Sequence, residues 1–190
     1  MALWGATDAD ESKPKWMTTA DKKEVLATTA GWVVEAGSAM TGNDNTASTP
    51  EVLVAAGGLT VSLGAATISS VDWNITTFDK SAGGTLSVTV RYNEAVDVAT
   101  SNPTLIATNS VNANHTLTYA SGTGSNELVF TLAIAAANAA TDADDVLSVA
   151  AQSVVLASSS TIKDAGTATN AELVITAAQG TAAGTITVVA

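Results

Sequence analysis

The chain of 190 residues contains no cysteine and a single histidine, His115. Without cysteine, a disulfide framework, a zinc–thiolate centre and a thiol nucleophile are all excluded. Basic residues are also scarce, because 7 Lys and Arg stand against 18 Asp and Glu and give a formal net charge of −11. A surface of that charge repels a phosphate backbone, so the composition predicts no nucleic-acid partner.

Long apolar runs are missing as well. The longest, such as LAIAAA at 132–137, fall far short of the roughly 20 residues that a spanning helix needs, so no membrane partner is predicted. Much of the apolar content is alanine, which buries little surface per residue. We therefore expect a thin core that gains stability by packing against neighbours, either in a homo-oligomer or on a lattice.

Aromatic residues make up only 4% of the chain, and they are unevenly placed. Tryptophan is enriched at the centres of protein interfaces, and lysine pairs with acidic partner surfaces. The first 35 residues therefore predict a partner-binding anchor, with the alternative that their tryptophans fill a small core beneath the main domain. The proposed contact residues are Trp4, Trp16, Trp32, Lys13, Lys15, Lys22 and Lys23.

From residue 66 onward the sequence has the period-two alternation of half-buried β-strands. TLSVTVRY (85–92) and ELVFTLAI (127–134) are the clearest examples, and predicted turns such as SGTGSN (121–126) and AAQGTAAG (177–184) separate such runs. This pattern predicts a seven- or eight-stranded antiparallel sandwich over 66–190. The side chains predicted to face inward are Leu86, Val88, Val90, Leu117, Tyr119, Leu128, Phe130 and Leu132.

Residues 1–65 have a different pattern, which predicts an extended N-terminal arm followed by a β-hairpin. Residues 18–30 are compatible with a short helix or a strand. EVLVAAGGLTVSLG (51–64) predicts two strands about the Gly57–Gly58 pair. We therefore divide the chain into an anchoring arm and hairpin at 1–65 and a sandwich at 66–190.

The stretch 83–173 resembles the bacterial immunoglobulin-like, cadherin-like repeats of surface adhesins and virion proteins. The resemblance implies an all-β, immunoglobulin-like antiparallel sandwich in which the segment after Tyr92 turns, and a role as a spacer or display module. The matching segments, in order, are Tyr92 with EAVDV (94–98), PTL (103–105), YASGTGSN (119–126), LVF (128–130), DAD (142–144) and IKDA (162–165).

The first 65 residues resemble the leader of small structural proteins from tailed phages that infect marine cyanobacteria. MALWG, SKPKW, GWV and EVLVAAGGLTVSLG carry that resemblance. Together the two resemblances imply a virion structural protein, most simply a capsid decoration or cement protein. Its partners would be the major capsid protein or neighbouring virion proteins, and its location the capsid surface.

Residues that could carry chemistry are few. A lone histidine on a strand edge, such as His115, is more often a surface residue than a catalytic base. Asp142, Asp144 and Asp145 are weak candidates for calcium ligands, but DADD lacks the glycine and distal glutamate of a dedicated calcium loop. The simpler interpretation is a solvated turn, so we expect no enzymatic activity, no cofactor and no obligatory metal.

An adhesion or receptor-binding module of a phage tail or bacterial surface is the alternative function. Such a module needs exposed aromatic platforms for sugars or a calcium-rimmed loop. Beyond residue 65, Trp73 and Tyr119 are the plausible platforms, and both fall within strand patterns.

Overall fold

The computed structural model describes residues 17–28, 31–55, 65–100, 102–157 and 159–190. The fold is all-β, as the alternation predicts. The described helices are a 3-10 helix, Asp21–Glu24, and an α-helix, α1, Ala177–Ala183. The strands are β1 Val25–Thr28, β2 Gly31–Val34, β3 Glu51–Ala55, β4 Ile68–Trp73, β5 Phe78–Asp79, β6 Gly84–Ala99, β7 Thr104–Asn109, β8 His115–Ser121, β9 Ser125–Ile134, β10 Val146–Ser148, β11 Gln152–Ser153, β12 Thr161–Asp164, β13 Val174–Ile175 and β14 Thr185–Val189.

A nine-stranded sheet forms the main body in the order β12-β6-β9-β8-β7-β10-β14-β5, with β4 also paired to β6. The sheet curls so that the inward side chains of its strands make one hydrophobic core. Pairing is antiparallel except between β5 and β14, which run parallel. Strands β11 and β13 form a separate two-stranded ribbon. An immunoglobulin-like strand connectivity stays a prediction.

The alternating strands bury the residues that their pattern selects. Six of the eight predicted inward side chains are buried: Leu86, Val88, Val90, Leu117, Leu128 and Phe130. The other two, Tyr119 and Leu132, are half-buried and pack against the same core. The Tyr119 and Phe130 rings meet edge to face, with centroids 6.1 Å apart.

Two local predictions are wrong. The chain does not turn after Tyr92, because β6 continues through Ala99, where Val96 is buried and β12 supplies a new partner strand. The segment 177–184 is not simply a turn, because α1 occupies most of it. Thr176 and Gln179 form a reciprocal capping box that starts this helix.

Strands β1, β2 and β3 form their own three-stranded antiparallel sheet, here called the N-terminal sheet. Gly31 allows β2 and β3 to approach closely. Its φ is +126°, and a Cβ there would lie 1.9 Å from the Val54 carbonyl oxygen. Of the predicted hairpin at 51–64, the first strand is β3, whereas 56–64 lie outside the described residues. The division of the chain at residue 65 stays a prediction.

Candidate docking surface

Trp32 lies inside the protein and not on its surface. Its side chain is only 7% exposed and belongs to a small cluster with Val25 and Val34, against which Met17 and Val54 pack. Trp32 thus belongs to a small core of the N-terminal sheet that is separate from the core of the sandwich, and its role in binding a partner stays a prediction. A partner could contact this ring only if the N-terminal sheet rearranged.

The two described lysines near the N-terminal sheet, Lys22 and Lys23, differ in their contacts. Lys23 forms an ion pair with Asp72 of β4, so its charge is used within the chain. Lys22 is half-buried on the 3-10 helix. The remaining predicted anchor residues lie outside the described residues, namely Trp4, Trp16, Lys13 and Lys15.

Lys23 is one end of a chain of charged side chains between the N-terminal sheet and the sandwich. Asp72 also receives Arg91 Nη1 at 2.9 Å, and Arg91 Nε donates to Glu127 at 2.5 Å. Burial raises the pKa of Asp72, but the hydrogen bond and charge of Lys23 outweigh burial and hold that pKa below its ordinary value. These contacts fix β4, β6 and β9 to the 3-10 helix that precedes β1.

Glu35 follows β2 and completes this chain of charges, here called the charge network. It accepts a hydrogen bond from Asn126 Nδ2 on β9, and it faces Glu127 and Arg91. Burial, reinforced by the Glu127 charge, raises the pKa of Glu35 despite the hydrogen bond from Asn126. The charge network therefore ends in two adjacent carboxylates.

A cleft of about 330 Å³ opens beside these two carboxylates. Its walls come from both sheets and from the loop that joins β2 to β3. Leu26 and Pro50 line it with apolar surface, and Thr46 and Ser48 contribute hydroxyl groups. Residues 125–127 of β9 form the opposite wall. The cleft thus lies along the junction between the N-terminal sheet and the sandwich.

The outermost strand of the N-terminal sheet exposes apolar side chains. Val52 is 57% exposed and Leu53 is 37% exposed. Leu53 is the extra residue of a β-bulge, because Val52 pairs with Val33 and Val54 pairs with Trp32. Among the described residues, no strand pairs with the outer edge of β3. An edge of this kind is a ready place for another chain to bind.

The acidic turn at 142–145 is a structural junction and not only a solvated loop. Asp145 is buried, and its Oδ2 accepts hydrogen bonds from Asn109 Nδ2 (2.8 Å), Asn112 Nδ2 (3.0 Å) and Asp142 N (2.8 Å). Burial raises its pKa, but these hydrogen bonds outweigh burial and lower it. Asp142 pairs with Lys80, and Asp144 is exposed with a φ of +67°.

His115 is buried, so the prediction of a surface residue is wrong. Its Nε2 lies 3.3 Å from Thr141 Oγ1, beside the Asp145 junction. Burial lowers the pKa of His115, although the Asp145 charge acts in the opposite direction. The side chain is therefore a neutral part of the packing between β8 and the acidic turn.

The described residues provide neither a metal-binding cluster nor a membrane-spanning helix. No group of three or more His, Asp or Glu side chains there is arranged to hold a metal ion. None of the described helices is long and apolar enough to cross a membrane. The two aromatic rings proposed as sugar platforms, Trp73 and Tyr119, both pack against the core.

Sequence reasoning missed the charge network. Arg91 and Glu127 are directly opposite each other on β6 and β9, both on the outward side of alternating strands. Opposite charges on paired strands are a usable signal only when the register is known. Glu35 follows β2, for which the sequence analysis made no prediction, so its position could not be inferred.

No protein-family model, no curated protein and no solved structure matches the chain. The resemblances to immunoglobulin-like repeats and to phage leaders remain predictions that depend on the motifs themselves.

Proposed function

We propose that the protein is a non-enzymatic virion structural protein that docks on a capsid lattice through its N-terminal region and displays the sandwich outward. The observation that carries the proposal is the apolar pair Val52 and Leu53, exposed on β3, whose outer edge has no partner strand among the described residues. This edge belongs to the same N-terminal region that holds most of the tryptophans and lysines. Exposed apolar surface is typical of sites that become buried in an assembly.

The sandwich suits the display role. Its outward side chains along β8 are short and polar, as Thr116 and Thr118 illustrate, and both are exposed. The chain as a whole carries a strong negative charge, which favours solubility over non-specific association. A compact, polar sandwich attached by one edge is a simple way to cover a lattice without blocking its assembly.

Immunogold labelling tests this proposal. Antibodies raised against the purified sandwich should label the heads of tailed-phage particles, evenly over the capsid surface. Labelling confined to tails would overturn the capsid proposal in favour of the adhesion or receptor-binding alternative. Particles without any label would contradict both virion roles.

A further inference from the structure

The charge network is unbalanced at the junction between the N-terminal sheet and the sandwich. It contains the cations Lys23 and Arg91 and the carboxylates Asp72, Glu127 and Glu35. Along the contacts that join them, Lys23, Asp72, Arg91 and Glu127 alternate in sign. Glu35 is the carboxylate left over, and its hydrogen-bond donor, Asn126, carries no charge.

Glu35 is also the residue that joins the two parts of the structure at this point. Its backbone N–H donates to the Glu24 carbonyl, which ties the end of β2 to the 3-10 helix. Its side chain reaches across to Asn126, which is buried on β9. A change in the charge of Glu35 therefore acts directly on the contact between the N-terminal sheet and the sandwich.

Other charged groups near Glu35 compensate its charge only in part, because the Arg91 charge lowers the pKa of Glu35 but burial and the Glu127 charge outweigh it. Arg91 on β6 is already bonded to both Glu127 and Asp72, and Lys23 is bonded to Asp72. Glu24 on the 3-10 helix accepts a hydrogen bond from Ser38 and adds a further negative charge. The loop joining β2 and β3 contributes only hydroxyl groups and apolar surface to the cleft there.

We propose that protonation of Glu35 is a switch that tightens the attachment of the N-terminal sheet to the sandwich at low pH and loosens it as the pH rises. Protonation removes the extra negative charge beside Glu127 while keeping an oxygen that accepts from Asn126. The proposal concerns the chain itself and does not depend on the proposed capsid role.

The sign follows from linkage between proton binding and folding. Burial raises the pKa of Glu35 in the folded state above its value in the detached state. The attached state therefore binds the proton more tightly, and its extra stability is fully present below the ordinary pKa of glutamate. That stability is lost as the pH rises through the raised pKa. Asp72 has a lowered pKa and acts with the opposite sign, but only in more strongly acidic solution.

Hydrogen exchange of the full-length protein tests the switch. Backbone amides of β1 and β2 are measured between pH 5 and pH 8, with intrinsic exchange rates corrected, and β6 and β9 serve as internal references. The protection of the β1 and β2 amides should fall as the pH rises. Release of a single proton can lower this protection by at most about tenfold per pH unit. Constant or increasing protection in the wild-type protein would overturn the proposal.

The Glu35→Gln variant separates this titration from others. It keeps the acceptor for Asn126 and cannot ionise, so β1 and β2 should be protected at pH 8 and the pH dependence should vanish. Glu51→Gln, the same change at an exposed site on β3, should leave the wild-type dependence intact. The proposal fails if Glu35→Gln keeps the wild-type dependence or if its N-terminal sheet is unprotected at every pH.

Discussion

Asp145 shows how one side chain can organise two loops. Its carboxylate holds the end of β7 through Asn109, the following loop through Asn112, and the turn that contains Asp142. The sequence could indicate that this turn was acidic, but not that one of its carboxylates was buried. That distinction depends on asparagines more than thirty residues away, which no local pattern connects to the turn.

Replacing Asp145 with asparagine should therefore destabilise the protein. The Asp145→Asn variant keeps one acceptor oxygen but loses the charge that strengthens three hydrogen bonds, and we expect a loss of about 1–3 kcal/mol in the free energy of unfolding. Denaturant unfolding measures this loss of free energy. Asp144→Asn is the matched control, because Asp144 is exposed and asparagine tolerates its positive φ, and its effect should stay within about 0.5 kcal/mol. Equal effects of the two variants would remove Asp145 from its structural role.

The burial of His115 predicts that its contribution to the free energy of unfolding falls in acid. Burial lowers its pKa in the folded state, so the unfolded chain binds the proton more tightly. The stability that neutral His115 contributes is complete above its unfolded pKa of about 6.5 and is lost as the pH falls toward the lowered folded value. The difference in unfolding free energy between wild type and His115→Gln should therefore shrink from pH 7.5 to pH 5.5. A difference that grows over this range would contradict the account.

The strands illustrate which elements alternation can predict. β6, β8 and β9 were recognisable because apolar side chains recur at every second residue along each strand. Leu86, Leu117 and Phe130 are examples, one from each strand. The continuation of β6 past Tyr92 was not, because its register with β9 shifts between Arg91 and Val96 and the pattern is broken there. Helix α1 was readable in principle from Thr176 and Gln179, whose spacing is that of a capping box.

Phe130 tests the core that alternation predicted. Its ring is fully buried between β6 and β8, so Phe130→Ala should lower the unfolding free energy by about 3–5 kcal/mol. Denaturant titration gives the value. The neighbouring half-buried Val129, truncated in the same way to alanine, should cost much less. A negligible shift in the Phe130→Ala midpoint would show that this ring does not support the core.

At the scale of the whole molecule, the chain combines a sandwich with a small sheet attached to one side. The sequence indicated an unusual N-terminal region, and the structure divides its residues by role: Trp32 in a core, Lys23 in an ion pair, and Val52 and Leu53 exposed. The proposed docking surface is thus built from β3, whose exposure could not be inferred from a strand pattern alone.

Polar substitution on β3 should weaken docking without unfolding the protein. The double variant Val52→Thr with Leu53→Thr has β-branched side chains, which suit a strand, at both positions and removes exposed apolar surface. Sedimentation with phage heads that lack the protein should show reduced binding, with hydrogen exchange of β1 and β2 unchanged. Val111→Thr, at a loop residue that is 77% exposed, is the control and should bind normally. Normal binding by the double variant would exclude β3 from the interface.

The most direct test of the capsid role is the number of copies in each purified particle. Quantitative mass spectrometry of the protein against the major capsid protein provides it. A decoration protein should be present in a fixed ratio that matches a repeated site of the capsid lattice. A handful of copies per particle, the number expected for a tail component, or no copies at all would contradict the account.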